Sequence, residues 1–126
     1  MFRFLNLGAP LGRTLLGGIF LLSGLTKIGA YEATQGYMEA MGVPGALLPA
    51  VIAFEILAPI ALIVGFYARS AAFLLASFSI LTALIFHFNF ADQMQTILFL
   101  KNMSIAGGLL FLTSAGPGAI SLDPRR

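Results

Sequence analysis

Residues 46–65 read ALLPAVIAFEILAPIALIVG, twenty positions with one ionisable group, Glu55, near the middle. At 1.5 Å per residue a helix of that length covers about 30 Å, the thickness of a bilayer's hydrocarbon core. A carboxyl group at that depth costs at least roughly 2.5 kcal/mol on insertion scales, so it must be solvated, paired or used. Two expectations follow: the segment crosses a membrane, and Glu55 is the first candidate for function.

Reading outward, three further apolar runs occupy residues 11–29, 70–88 and 97–114. The whole chain agrees with them, with 126 residues, 59% hydrophobic and only 10% charged, and a mean hydropathy of +0.95. A soluble domain carries about 25% charged residues. The expected architecture is all-α, an integral membrane four-helix bundle forming a single domain over residues 1–126. With so little chain outside the bilayer, any site must lie between the helices or at their ends.

The basic residues set the orientation. With a cytoplasmic N-terminus, Arg3, Arg13, Arg69, Arg125 and Arg126 fall on the inner side and only Lys27 and Lys101 on the outer side. The positive-inside rule therefore favours N-in, C-in. The charged start followed by an apolar run also fits a secretory signal. Lys27 stands where cleavage would occur, however, and no small-x-small site with a polar flank follows, so the first run is expected to stay as a span.

Between the first two spans, residues 31–41 are too polar to cross. Thr34, Tyr37, Met38 and Met41 recur there at helical spacing, which predicts a short helix lying in the outer interface. Gly42 is expected to cap it and Pro44 to open the next span. Helices in lipid associate through small residues. Ala68, Ala72 and Ala76 form such a stripe, and Gly8, Gly12, Gly17, Gly24 and the pair Gly107-Gly108 are expected to do the same for the outer two spans.

Side-chain direction selects a partner for Glu55. Helical side chains lean toward their helix N-terminus. Lys27 and Glu55 stand on antiparallel spans, so they lean toward each other across a backbone offset of about 12 Å, or 8 residues at 1.5 Å each. The pair is expected to meet directly or through a water, and Pro59 to kink the span where it removes the hydrogen bond to the Glu55 carbonyl. His87, Lys101 and Asn102 fall near the same outer level and predict a polar vestibule. Lys27 and Lys101 also fit interfacial anchors, His87 an interfacial hydrogen-bonder, and Glu55 packing glue.

Absences narrow the chemistry. With no cysteine there is no thiol relay or cysteine-ligated iron–sulfur cluster in this chain, and one histidine cannot ligate a haem from both sides. No metal site, phosphate-binding loop or basic nucleic-acid patch is visible. Any electron carrier must be a bound molecule or a partner subunit.

The order Gly12-Arg13, Ser23-Gly24, Lys27, Gly42-Val43-Pro44, Glu55, Gly65, Arg69, His87, Lys101-Asn102, Gly107-Gly108 and the terminal run from Gly116-Pro117-Gly118 to Ser121-Leu122-Asp123 resembles the DoxX family of small membrane proteins. That resemblance covers nearly the whole chain and implies a four-helix bundle in the bacterial inner membrane. The family takes its name from a subunit associated with a quinol oxidase and with thiosulfate:quinone oxidoreductase. It implies that Lys27, Glu55, His87, Lys101 and Asn102 matter most. Glu55 and Lys27 are then the candidate catalytic residues, and His87, Lys101 and Asn102 the candidate ligand contacts.

The leading expectation is a membrane subunit or partner of a redox system that holds a quinone-like amphipathic molecule in the outer half of the bundle. The chain itself carries no cofactor in this reading. Its expected partners are the bilayer, a redox subunit or further copies of itself, and not nucleic acid. The rival readings are a non-enzymatic anchor or assembly protein, in which the buried pair only fixes helix register, and a small permease carrying protons on Glu55.

Overall fold

A computed structural model describes residues 2–122, with side chains from Leu7 onward. The Arg3 side chain, Asp123, Arg125 and Arg126 lie outside the described residues. Five helices follow one another: α1 (Phe2–Gly29), α2 (Tyr31–Ala40), α3 (Leu48–Val64), α4 (Ala68–Phe86) and α5 (Gln93–Ala115), with a 3-10 turn at Gly45–Leu47 leading into α3. Four of these are long and apolar enough to cross a membrane, over Leu7–Gly29, Gly45–Val64, Ala68–Phe86 and Gln93–Ala115. The chain is an all-helical membrane bundle.

Local chemistry sets the boundaries. The α2 helix ends in a Schellman motif: Gly42 takes φ +84°, its N–H reaches the Glu39 carbonyl at 3.1 Å, and the Val43 N–H reaches Met38 at 2.9 Å. That is the cap expected of Gly42, since only a residue without Cβ adopts this conformation at no cost. Pro44 precedes the 3-10 turn, and Pro49 sits in the first turn of α3, where a missing N–H loses nothing. The α3 helix runs without a break through Pro59. It ends at Gly65, φ +76°, before the tight turn into α4.

The start of α5 lies earlier than the apolar run implies. Asp92 accepts hydrogen bonds from the N–H groups of Met94 at 2.9 Å and Gln95 at 3.3 Å, so the helix begins at Gln93. Asn102 therefore stands nine residues inside α5, about 14 Å along its axis.

The bundle is built from two close helix pairs, α1 with α3 and α4 with α5, joined along α3 and α4, while α1 and α5 touch only sparsely. Ala68, Ala72 and Ala76 are all fully buried, as their stripe implies. Phe20, Leu62, Ala72, Leu75, Ala76, Ala106 and Leu109 fill the core. On α1 the small residues divide. A Cβ on Gly17 would lie 3.2 Å from the Pro59 carbonyl oxygen and one on Gly24 3.0 Å from the Glu55 Cβ, so these two glycines set the approach of α1 to α3. The expectation fails for Gly8, Gly12 and Gly107: nothing stands within 4 Å of the space their side chains would fill, because they face away from every neighbouring helix.

Two arginines close the end opposite Lys27. The last carbonyls of a helix have no partner within it and carry the negative end of its dipole. Arg13, 1% exposed, donates to the Leu62 carbonyl at 3.4 Å and the Ile63 carbonyl at 3.1 Å, at the C-terminus of α3, and also to the Ile120 carbonyl. Arg69 donates to Ser114 at 2.9 Å and Thr113 at 3.4 Å, at the C-terminus of α5. Gly116 and Gly118, at φ +88° and +90°, turn the tail back across this end. Its Leu122 N–H meets the Val64 carbonyl at 3.1 Å.

Candidate functional site

Above the apolar core the lining changes character. Ser23 on α1, Glu55 on α3, Ser79 and Thr82 on α4 and Asn102 on α5 take the inward positions, and they are too small or too polar to fill the space between the two helix pairs. A cavity of about 460 Å³ results, roofed by Thr34, Tyr37 and Met38 of α2. Phe20, Val51, Phe78, Ile85 and Ile105 give it apolar walls. Its size lies within the range of pockets that take small ligands, about 300–1,000 Å³.

One wall carries the ion pair. The Lys27 ammonium lies 2.9 Å from Glu55 Oε1 and donates to Oε2 at 3.1 Å and to the Ser23 hydroxyl oxygen at 2.7 Å. The Glu55 side chain is 2% exposed and that of Lys27 25%. The contact is direct, without the water that the backbone offset allowed. Gly24 is the reason, since it lets α1 sit against the backbone of Glu55. Three oxygens for three ammonium protons make the pair self-contained.

The opposite wall is a second network. The Ser79 hydroxyl donates to the Asn102 carbonyl at 3.0 Å. Asn102 Nδ2 donates to the Ser79 carbonyl at 3.3 Å and to Thr82 Oγ1 at 3.2 Å, and Thr82 Oγ1 donates to the Ser79 carbonyl at 3.1 Å. Because the Ser79 carbonyl only accepts, the Asn102 amide orientation is determined. His87 Nδ1 lies 2.8 Å from Gln95 Oε1, again an acceptor, so Nδ1 is the donor of this bond and, in the neutral ring, Nε2 is left as the acceptor. At the roof the Tyr37 ring stacks on Phe86 with centroids 5.3 Å apart.

The cavity thus gathers Lys27, Glu55, His87 and Asn102. Lys101 does not join them. It precedes Asn102 by one residue, about 100° of helical rotation, is exposed on the outer face of α5, and does not line the cavity. Ser23, Ser79, Thr82 and Tyr37 were not singled out as site residues by sequence reasoning, although Ser23 and Lys27 share a face at i, i+4 and Ser79 and Thr82 at i, i+3. Among the described residues no group of three or more histidines and carboxylates comes together to hold a metal ion.

Fold and site together define a small four-span membrane protein with a polar-lined cavity at one end of the bundle. The DoxX family model matches residues 8–88, and the chain belongs to the DoxX family. It is 45% identical over 118 residues to the inner membrane protein YqjF of Escherichia coli strain K12, covering 94% of this chain and 91% of that one. It is 40% identical over 114 residues to the inner membrane protein YphA of the same strain, covering 85% and 81%. These relatives place the chain among multi-pass inner membrane proteins. No solved structure matches it.

Proposed function

We propose that this protein binds a small amphipathic molecule in its cavity and works as the membrane subunit or partner of a quinone-linked redox system. The observation that carries the reading is the composition of the cavity, with apolar walls for a ring and tail and a polar set facing inward between helices long and apolar enough to cross a membrane. Glu55 and Lys27 form the proton-handling pair, and Asn102 and His87, on the other side, face the head group. In this arrangement the arginine-rich end faces the cytoplasm and the cavity the outer leaflet.

The self-contained pair also favours a second reading, in which it only fixes the register of α1 on α3. Glu55→Gln separates the two. Glutamine keeps the size and the hydrogen-bonding capacity but exchanges no proton at ordinary pH. In a deletion strain under quinone or oxidative stress, the variant is expected to reach normal membrane abundance and fail to complement. Full complementation at normal abundance would refute proton handling and leave the register role.

A further inference from the structure

The hydrogen-bonding capacity left over in the cavity is one-sided. All three Lys27 protons have acceptors in Glu55 and Ser23, and both Asn102 Nδ2 protons are given to Ser79 and Thr82. The hydroxyls of Ser79 and Thr82 are spent on backbone carbonyls. The capacity that remains is almost all accepting. Asn102 Oδ1 has no donor among the described residues, His87 Nε2 has a lone pair, and each Glu55 oxygen accepts only from Lys27 and keeps a second lone pair. Ser23 alone has a hydroxyl proton with no acceptor among the described residues. The ion pair is neutral overall and no other lysine, arginine or carboxylate lines the cavity.

A cavity with one free donor is a poor host for a carboxylate or phosphate, which needs several N–H or O–H groups, and a poor one for a quinone, whose two carbonyls need two donors and whose lack of protons leaves the buried acceptors unmet. A neutral hydroxyl meets it on both counts: its proton satisfies a buried acceptor and its oxygen accepts from Ser23. We infer that, within the ligand class proposed above and resting on that reading, the cavity selects the hydroxyl-bearing form, a hydroquinone or phenol, over the carbonyl-bearing or anionic form. The polar atoms responsible are Asn102 Oδ1, His87 Nε2 and the Glu55 carboxylate, with Ser23 as the single donor. The selectivity is a matter of which protons the ligand brings, not of its shape.

A decyl-substituted benzoquinone and its chemically reduced hydroquinone share one skeleton and serve as the probe pair. Binding of each to the purified protein in lipid nanodiscs, under anaerobic conditions, is measured by calorimetric titration. The hydroquinone is expected to bind about tenfold more tightly, the worth of one or two neutral hydrogen bonds. Asn102→Leu, checked for monodispersity and helical content, is expected to weaken the hydroquinone several-fold and the quinone less, so that the difference between the two forms narrows; an undiminished difference would overturn the assignment to Asn102. Should Asn102→Leu not fold, His87→Phe removes an acceptor without touching the Ser79 network and carries the same expectation. Equal affinities, or tighter binding of the quinone, would overturn the selectivity while leaving the ligand class intact. Failure of both forms to bind would overturn the ligand class and the selectivity with it.

Discussion

Breaking the Lys27–Glu55 pair from either side should cost different amounts, and the structure sets the order. Lys27→Met strands a carboxylate that is 2% exposed, on the inward face of α3. Removing one partner of a buried pair costs about 3–5 kcal/mol because the survivor keeps its desolvation penalty without its partner. Glu55→Leu strands an ammonium that is 25% exposed, near the end of α1, still hydrogen-bonded to Ser23 and long enough to reach the headgroups. Its loss should be smaller, about 1–2 kcal/mol on the same grounds. The double variant replaces the pair with two apolar side chains of similar size and should lie within about 1 kcal/mol of the wild type. The coupling term is then at least about 3 kcal/mol, well above the few tenths at which independent sites add. Reversible unfolding in mixed micelles of dodecyl maltoside and SDS, followed by helical circular dichroism, measures all four proteins. A double variant as unstable as the sum of the singles would refute the coupling, and Glu55→Leu proving worse than Lys27→Met would refute the argument from exposure.

Three further outcomes are expected. Gly24→Ala places a methyl 3.0 Å from the Glu55 Cβ and 3.3 Å from its carbonyl carbon; α1 must shift from α3, with a loss of about 1–3 kcal/mol in the same unfolding assay, and wild-type stability would show that the contact yields freely. Arg13→Lys keeps the charge but not the planar fork that reaches carbonyls on both α3 and the tail, so it should lose about 1–3 kcal/mol and expose the tail to limited proteolysis; an unchanged cleavage pattern would count against the clasp. Reporter fusions after Gln35, Arg69 and Arg126 should read outside, inside and inside, and an outside signal at either of the last two would reverse the bundle in the membrane.

The four spans were legible because lipid demands long apolar helices, and a run such as 46–65 has no soluble reading. The pair was legible for a geometric reason, since Lys27 and Glu55 on antiparallel helices must lean toward one another. The depth of Asn102 was hidden because the first turn of α5 carries Gln93 and Gln95, which dilute the apolar signal, and the Asp92 cap that starts the helix was not read as one. Lys101 and Asn102 looked equivalent in sequence, yet adjacent helical residues point about 100° apart and only one of them faces the cavity. Arg13 and Arg69 were read as topological charges. Their grip on helix C-termini depends on which ends meet across the bundle, a tertiary fact with one available signal: cations level with the final carbonyls of an antiparallel neighbour.

The tail clasp bears on the order of assembly. Arg13 lies in the first helix and Ile120 beyond the last, 107 residues apart along the chain, so this bond cannot form until all four spans have left the ribosome and entered the bilayer. Until then Arg13 has only the end of α3 to hold. The tail contacts are therefore among the last long-range bonds the chain can close, and a chain that ends before Ile120 leaves Arg13 with part of its grip missing.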